Sequence, residues 1–141
     1  MHFLLSKSLS RLSRLYSRAI TRVLPELKFE HHAEILLILA YTNRRLTQKE
    51  LAELYQADKS RIAVLIEGMT RDGLVYTEQN SADRRAHFVL LTSKGEAIIP
   101  KIQQAIEQVN CMINQQLDKT HLDYFYATLF KMQSNLVELQ V

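Results

Sequence analysis

Two short cationic runs, Lys59-Ser60-Arg61 and Asp83-Arg84-Arg85, carry the side chains of this sequence best suited to meeting a polyanion. Ammonium and guanidinium groups pair with phosphate oxygens, and lysine, serine and arginine also reach base edges in a major groove. Ala63 and Val64 follow the first run and offer apolar contact to a thymine methyl. In the second run one arginine is expected to meet phosphate or enter a minor groove, with Asp83 fixing the other through a salt bridge. Adjacent arginines on a loop are usually solvated surface, so the weight of both runs rests on the elements around them.

Those elements can be read from caps and periodicity. Thr47-Gln-Lys-Glu50 is a capping box that opens a short helix over 48–55. Asp58 is an N-cap for a second helix running to about Asp72, where Gly73 supplies a left-handed stop. Leu51, Ala52, Leu54, Ile62, Leu65, Ile66 and Met69 are expected to pack the two helices together and leave the first turns of the second projecting. After Gly73 the period changes to two, giving strands over 74–79 and 87–91 that flank the polar loop 80–86. Residues 47–92 therefore read as a helix-turn-helix followed by a two-stranded wing with a basic tip. The helix N-terminus adds unpaired amides that favour phosphate.

Long amphipathic helices flank this unit. Leu5, Leu9, Leu12, Tyr16, Ile20 and Val23 draw one stripe between Phe3 and Leu24, ended by Pro25. His31–Tyr41 is apolar around most of its circumference and is expected to be buried. Ser93-Lys-Gly-Glu96 reads as another capping box, opening a helix lined by Ile98, Ile102, Ile106, Val109 and Ile113 and reaching Leu117, with Pro100 tolerated in its early turns. Thr120 is expected to cap a last helix with Leu122, Phe125, Leu129, Met132 and Leu136 inward. Stripes of this length exceed what a winged helix of roughly 60 residues covers, so residues 3–24 and 96–139 are expected to build a two-fold dimer. The fold class is mainly α with a small β-hairpin wing. The division expected is 1–28 for an N-terminal dimerisation helix, 29–93 for the winged helix and 94–141 for C-terminal dimerisation helices.

The stretch LTQKELAELYQADKSRIAVLIEGMTRDGLVYTEQNSADRRAHFVLLTSKG resembles the MarR family signature: a capped first helix, an acidic N-cap on the recognition helix, the Gly-Leu-Val exit, the Asp-Arg-Arg wing and Leu-Thr-x-x-Gly before the next helix. With one helix pair before it and two long helices after, the resemblance covers nearly the whole chain. It implies a winged helix-turn-helix with an intertwined helical dimerisation module, a homodimer binding a pseudo-palindromic operator in double-stranded DNA, and a repressor released by a small-molecule effector. It also implies a pocket for aromatic or phenolic acids between dimer module and reading head, for which Tyr16, His31, Tyr41 and Tyr76 are the candidate lining. Two departures stand out. Gln56 occupies a turn position where many relatives have glycine, which forces a non-glycine residue toward a left-handed backbone. Val64 replaces a residue that is often polar or basic, so the operator sequence does not carry over.

Composition bounds the alternatives. A chain 47% hydrophobic and 23% charged is that of an ordinary folded protein. Basic groups exceed acidic ones by three in residues 1–43 and by two in 44–95, whereas acidic groups exceed basic by two in 96–141, so polyanion contact belongs to the first two thirds. The single Cys111 excludes an internal disulfide and suits a reducing cytoplasm, and its expected role is buried or interface packing. Glu107 with Cys111, and His31, His32 and Glu34, have spacing that invites a metal, but solvated or capping roles are commoner and no metal or cofactor is expected. The basic residues Lys7, Arg11, Arg14, Arg18 and Arg22 are read as a solvated face. No run is apolar enough to span a bilayer, and the first residues lack a secretory h-region. Without a phosphate loop, nucleophile elbow or metal-ligand pair with a base, no enzyme is expected. The competing reading is a protein-interaction module on a winged-helix scaffold, an adaptor or anti-activator, which steep salt dependence of DNA binding would set aside.

Overall fold

The computed structural model describes residues 4–139; Phe3, expected to begin the N-terminal stripe, lies outside them, as do residues 140 and 141. The chain forms two compact units, one up to Val109 and one from Asn110. In order, the elements are α1 (Leu5–Val23), α2 (Glu30–Tyr41), β1 (Leu46–Thr47), α3 (Gln48–Tyr55), α4 (Lys59–Arg71), β2 (Val75–Gln79), β3 (His87–Leu91), α5 (Ser93–Ile113) and α6 (Lys119–Glu138).

In the first unit the caps form as the residue types require. Thr47 Oγ1 accepts the Glu50 amide at 3.2 Å while Glu50 Oε2 accepts the Thr47 amide at 2.9 Å, closing the capping box of α3. That bond from the Thr47 amide, reinforced by Arg44, holds the Glu50 carboxyl below the usual carboxylate range. Asp58 Oδ1 accepts the Arg61 amide at 2.8 Å at the head of α4. Between the two helices Gln56 adopts φ 60° and ψ 44°, the left-handed turn its position demanded. Gly73, at φ 73°, turns the chain out of α4.

A two-stranded wing does not account for the sheet. Its order is β1-β3-β2, all antiparallel, with Leu46 opposite Val89 in one pair and Val75 opposite Leu91 in the other. The third strand is too short to leave an alternating pattern and exists because β3 pairs with it across 43 residues of chain. Leu46, Val75 and Val89 are buried and tie the wing to the core formed by Ile35, Leu36, Leu51, Ile62, Met69 and Ile102. Leu54, expected inward, is 52% exposed.

The junction between α4 and α5 is made of backbone. Thr92 Oγ1 donates to the Gly73 carbonyl at 2.6 Å and accepts the Gly95 amide at 3.0 Å, so Thr92 caps α5 one residue earlier than the expected Ser93. Position N3 is then Gly95, and no capping box forms. Gly95 is buried against the Leu74 carbonyl.

His32 is the buried polar side chain of the core, 3% exposed, with no hydrogen-bond partner for Nδ1 among the described residues. Its ring meets Phe29 edge-on at 5.3 Å between centroids and faces Gly68 of α4. Burial lowers its pKa from the ordinary 6.5; Asp72 opposes this, while His31 and Lys28 add to it. A folded-state pKa below the unfolded one means the unfolded chain binds more protons between the two values. Stability is therefore fully present above about pH 6.5 and lost as pH falls below it. Urea titrations from pH 8 to pH 5 are expected to show this loss, and His32→Leu is expected to remove most of it; a His32→Leu curve parallel to wild type would exclude the ring as its source.

In the second unit α6 starts at Asp118, whose Oδ1 accepts the His121 amide at 2.9 Å, rather than at Thr120. α5 stops at Ile113, short of Leu117, and the chain turns through Gln116 at φ 65°. None of the α6 residues expected inward is buried: Phe125, Met132 and Leu136 are exposed and Leu122 and Leu129 half-buried. Cys111 is likewise exposed rather than buried in the single chain.

Candidate nucleic-acid interface

α4 presents its first turns outward. Lys59, Ser60, Arg61, Ala63 and Val64 are all exposed, Val64 at 68%, while Ile62, Ile66 and Met69 on the opposite face are buried. The geometry follows from helical spacing, since 62, 65, 66 and 69 share one stripe and 60, 61, 63 and 64 lie off it. The wing tip is ordered by its own polar side chains. Asn80 Oδ1 accepts the Ala82 amide, Asp83 Oδ1 accepts the Arg85 amide, and Gln79 Nε2 donates to the Arg84 carbonyl, each at 3.0 Å. Asp83 thus shapes the backbone of the tip and forms no ion pair with Arg84 or Arg85 among the described residues, which corrects the expected salt bridge. Arg84 and Arg85 remain exposed.

The two cationic runs meet. Lys59, Asp83 and Arg85 line one cleft together with Thr47, Gln48 and Lys49 from the head of α3 and with His87. The α3 contribution was missed in the sequence, although a lysine in the first turn of a capped helix is a recognisable signal. At the wing base Arg45 bonds Glu78 at 3.0 Å and lies over the Phe88 ring, 5.4 Å from its centroid. Phe88 and Glu78 are opposed across β3 and β2, so Arg45 bridges the sheet edge.

A cavity of about 630 Å³ lies between α1, α2 and the α3–α4 turn. It brings together Tyr16 and His31 of the expected effector residues. Tyr76 lies instead in a separate groove with Arg44, Arg45 and Pro100, and exposed Tyr41 lines neither. The cavity adds residues that the sequence did not single out for it, Glu30, Glu34, Tyr55 and Arg61. The Tyr55 hydroxyl and His31 Nδ1 are 3.1 Å apart, and the Ser17 hydroxyl donates to Glu30 Oε2. Burial pushes the Tyr55 phenol up, helped by Glu34 and opposed by Arg61.

Residues 27–86 match the model of the MarR family. Over this segment the chain is a winged helix-turn-helix of MarR type. The fold of the chain is shared with the crystal structure of MarR at TM-score 0.79 and 24% identity, over 96% of this chain and 99% of that one. It is shared too with the S. aureus MepR–DNA complex at TM-score 0.87 and 20% identity, over 95% and 99%. A third similar structure is Bordetella bronchiseptica BpsR, whose DNA binding is regulated by 6-hydroxynicotinic acid, at TM-score 0.81 and 20% identity over 94% and 96%. The matched segment spans α2 to the wing tip and so contains both cationic runs. Among its described residues no helix is long and apolar enough to cross a membrane.

Proposed function

We propose that the chain acts in the cytoplasm as a homodimeric repressor of transcription, occluding a pseudo-palindromic operator and leaving it when a small aromatic or phenolic effector binds. It works by binding and not by catalysis. The observation that carries this reading is the cleft shared by Lys59 and Arg85, because it sets a helix N-terminus and a wing arginine side by side on one surface. Lys59, Ser60 and Arg61 are assigned to phosphate and base edges of the major groove, Ala63 and Val64 to thymine methyls, and Arg84 and Arg85 to the flanking backbone or minor groove, with Asp83 holding the tip.

The effector is placed in the cavity lined by Tyr16 and His31, next to the recognition helix. Exposed Leu5, Leu9 and Leu12 on α1 and Phe125, Phe130 and Leu136 on α6 are assigned to a second copy of the chain. Residues 1–28 and 94–141 then serve dimerisation and 29–93 serve reading. Two heads about one DNA turn apart, roughly 34 Å, would read two half-sites, and a ligand favouring another spacing would release DNA by population shift.

Affinity for a selected duplex and for a scrambled one tests the contacts. Arg85→Ala is expected to weaken both by a similar factor, about tenfold, and to flatten the salt dependence. Arg61→Ala is expected to weaken the selected duplex by roughly 10- to 100-fold and the scrambled one less, narrowing their ratio. Wild-type affinity in both variants would refute the assignments and favour a protein partner for the scaffold.

A further inference from the structure

We infer that the occupant of the Tyr16–His31 cavity is a small organic cation, a protonated amine on an aromatic body, rather than an aromatic acid; the inference rests on that cavity being the effector site. Three carboxylates, Glu30, Glu34 and Asp58, line the cavity against the single guanidinium of Arg61. Asp58 is committed to the α4 cap. Glu30 and Glu34 take part in no ion pair among the described residues. Glu30 is half-buried, accepts one bond from Ser17, and has its pKa raised by burial, an effect that His31 opposes and Glu34 reinforces, so a further positive charge would relieve it.

An aromatic acid would add a negative charge where acidic groups already outnumber basic ones. An ammonium would find two carboxylates. The rings of Tyr16 and Tyr55 supply faces that attract a cation, while Ile20 and Leu37 supply apolar wall for the body. The His31–Tyr55 pair adds hydrogen-bonding capacity for a ligand hydroxyl. BpsR, regulated by an acid, shares the fold at 20% identity, which does not set the charge of the ligand here.

Tyramine, 4-ethylphenol and 4-hydroxyphenylacetate share a phenol and a short arm and differ in charge, so calorimetry with these three on the full chain separates charge from shape. Tyramine is expected to bind at least about tenfold more tightly than the acid, with 4-ethylphenol between them. Glu30→Gln and Glu34→Gln, checked by thermal melts, are each expected to weaken tyramine roughly threefold or more and to leave 4-ethylphenol unchanged. Equal or tighter binding of the acid overturns the inference and leaves the cavity as the effector site. Tyramine binding indifferent to both substitutions overturns it as well, by placing the ligand elsewhere. Binding of none of the three at millimolar concentration removes the cavity as an effector site and the inference with it.

Discussion

Leu9→Glu combined with Leu12→Glu is expected to give a folded monomer at micromolar concentration that has lost operator affinity by roughly 10²- to 10⁴-fold. Both side chains are exposed on one stripe of α1 and neither belongs to the buried core, so the single chain should tolerate the change. In a two-fold dimer the same two substitutions put four carboxylates into an apolar contact. Each head would then bind its half-site alone, without the high effective concentration that joining two heads provides. Sedimentation and DNA titration on the same sample check this. A variant that stays dimeric shows that α1 is not the contact, and a monomer with wild-type operator affinity shows that one head suffices.

Gly95→Ala is expected to be the most damaging single methyl in the chain, destabilising it by about 3 kcal/mol or more and lowering the melting temperature by roughly 10 °C. A Cβ at this position would run into the carbonyl of Leu74. That carbonyl cannot step aside, because it accepts the Thr92 amide at 3.1 Å while the Leu74 amide donates to Met69 at 2.9 Å. The whole junction from α4 through the wing to α5 would have to open, and the angle of the recognition helix would change with it. Gly68→Ala is the control: its Cβ would sit 3.7 Å from the His32 ring, an ordinary contact, so little loss is expected. A Gly95→Ala melt within 2 °C of wild type would mean the junction is softer than its hydrogen bonds imply.

Several local signals in the sequence translated well because they depend on neighbours only, although the α6 cap fell on Asp118 and not on Thr120. The Thr47–Glu50 box, the Asp58 cap, the left-handed Gln56 and the Gly73 stop each involve residues within five positions, and each forms as its chemistry requires. Longer-range features did not show. β1 has two residues and exists through pairing with β3, and Thr92 won the α5 cap from its neighbour because its hydroxyl also binds the Gly73 carbonyl 19 residues back.

The candidate site divides the same way. Lys59, Ser60, Arg61, Ala63 and Val64 could be placed outward around the inward Ile62 from helical spacing alone. Tyr41, Tyr76, Tyr16 and His31 could not be sorted into cavities by spacing, since which side of α2 a groove opens on is decided by tertiary packing. The contributions of Glu30, Tyr55 and Arg61 to the cavity arise from three different helices and leave no pattern in the sequence.

Hydroxyl-radical footprinting on a duplex recovered by selection measures the central claim, that two copies read DNA through the heads of α4 and their wings. The account predicts two protected windows on one face, centred about one helical turn apart, which fade together in Arg61→Ala. A single window, or two that persist unchanged when Arg61 and Arg85 are both alanine, would contradict it.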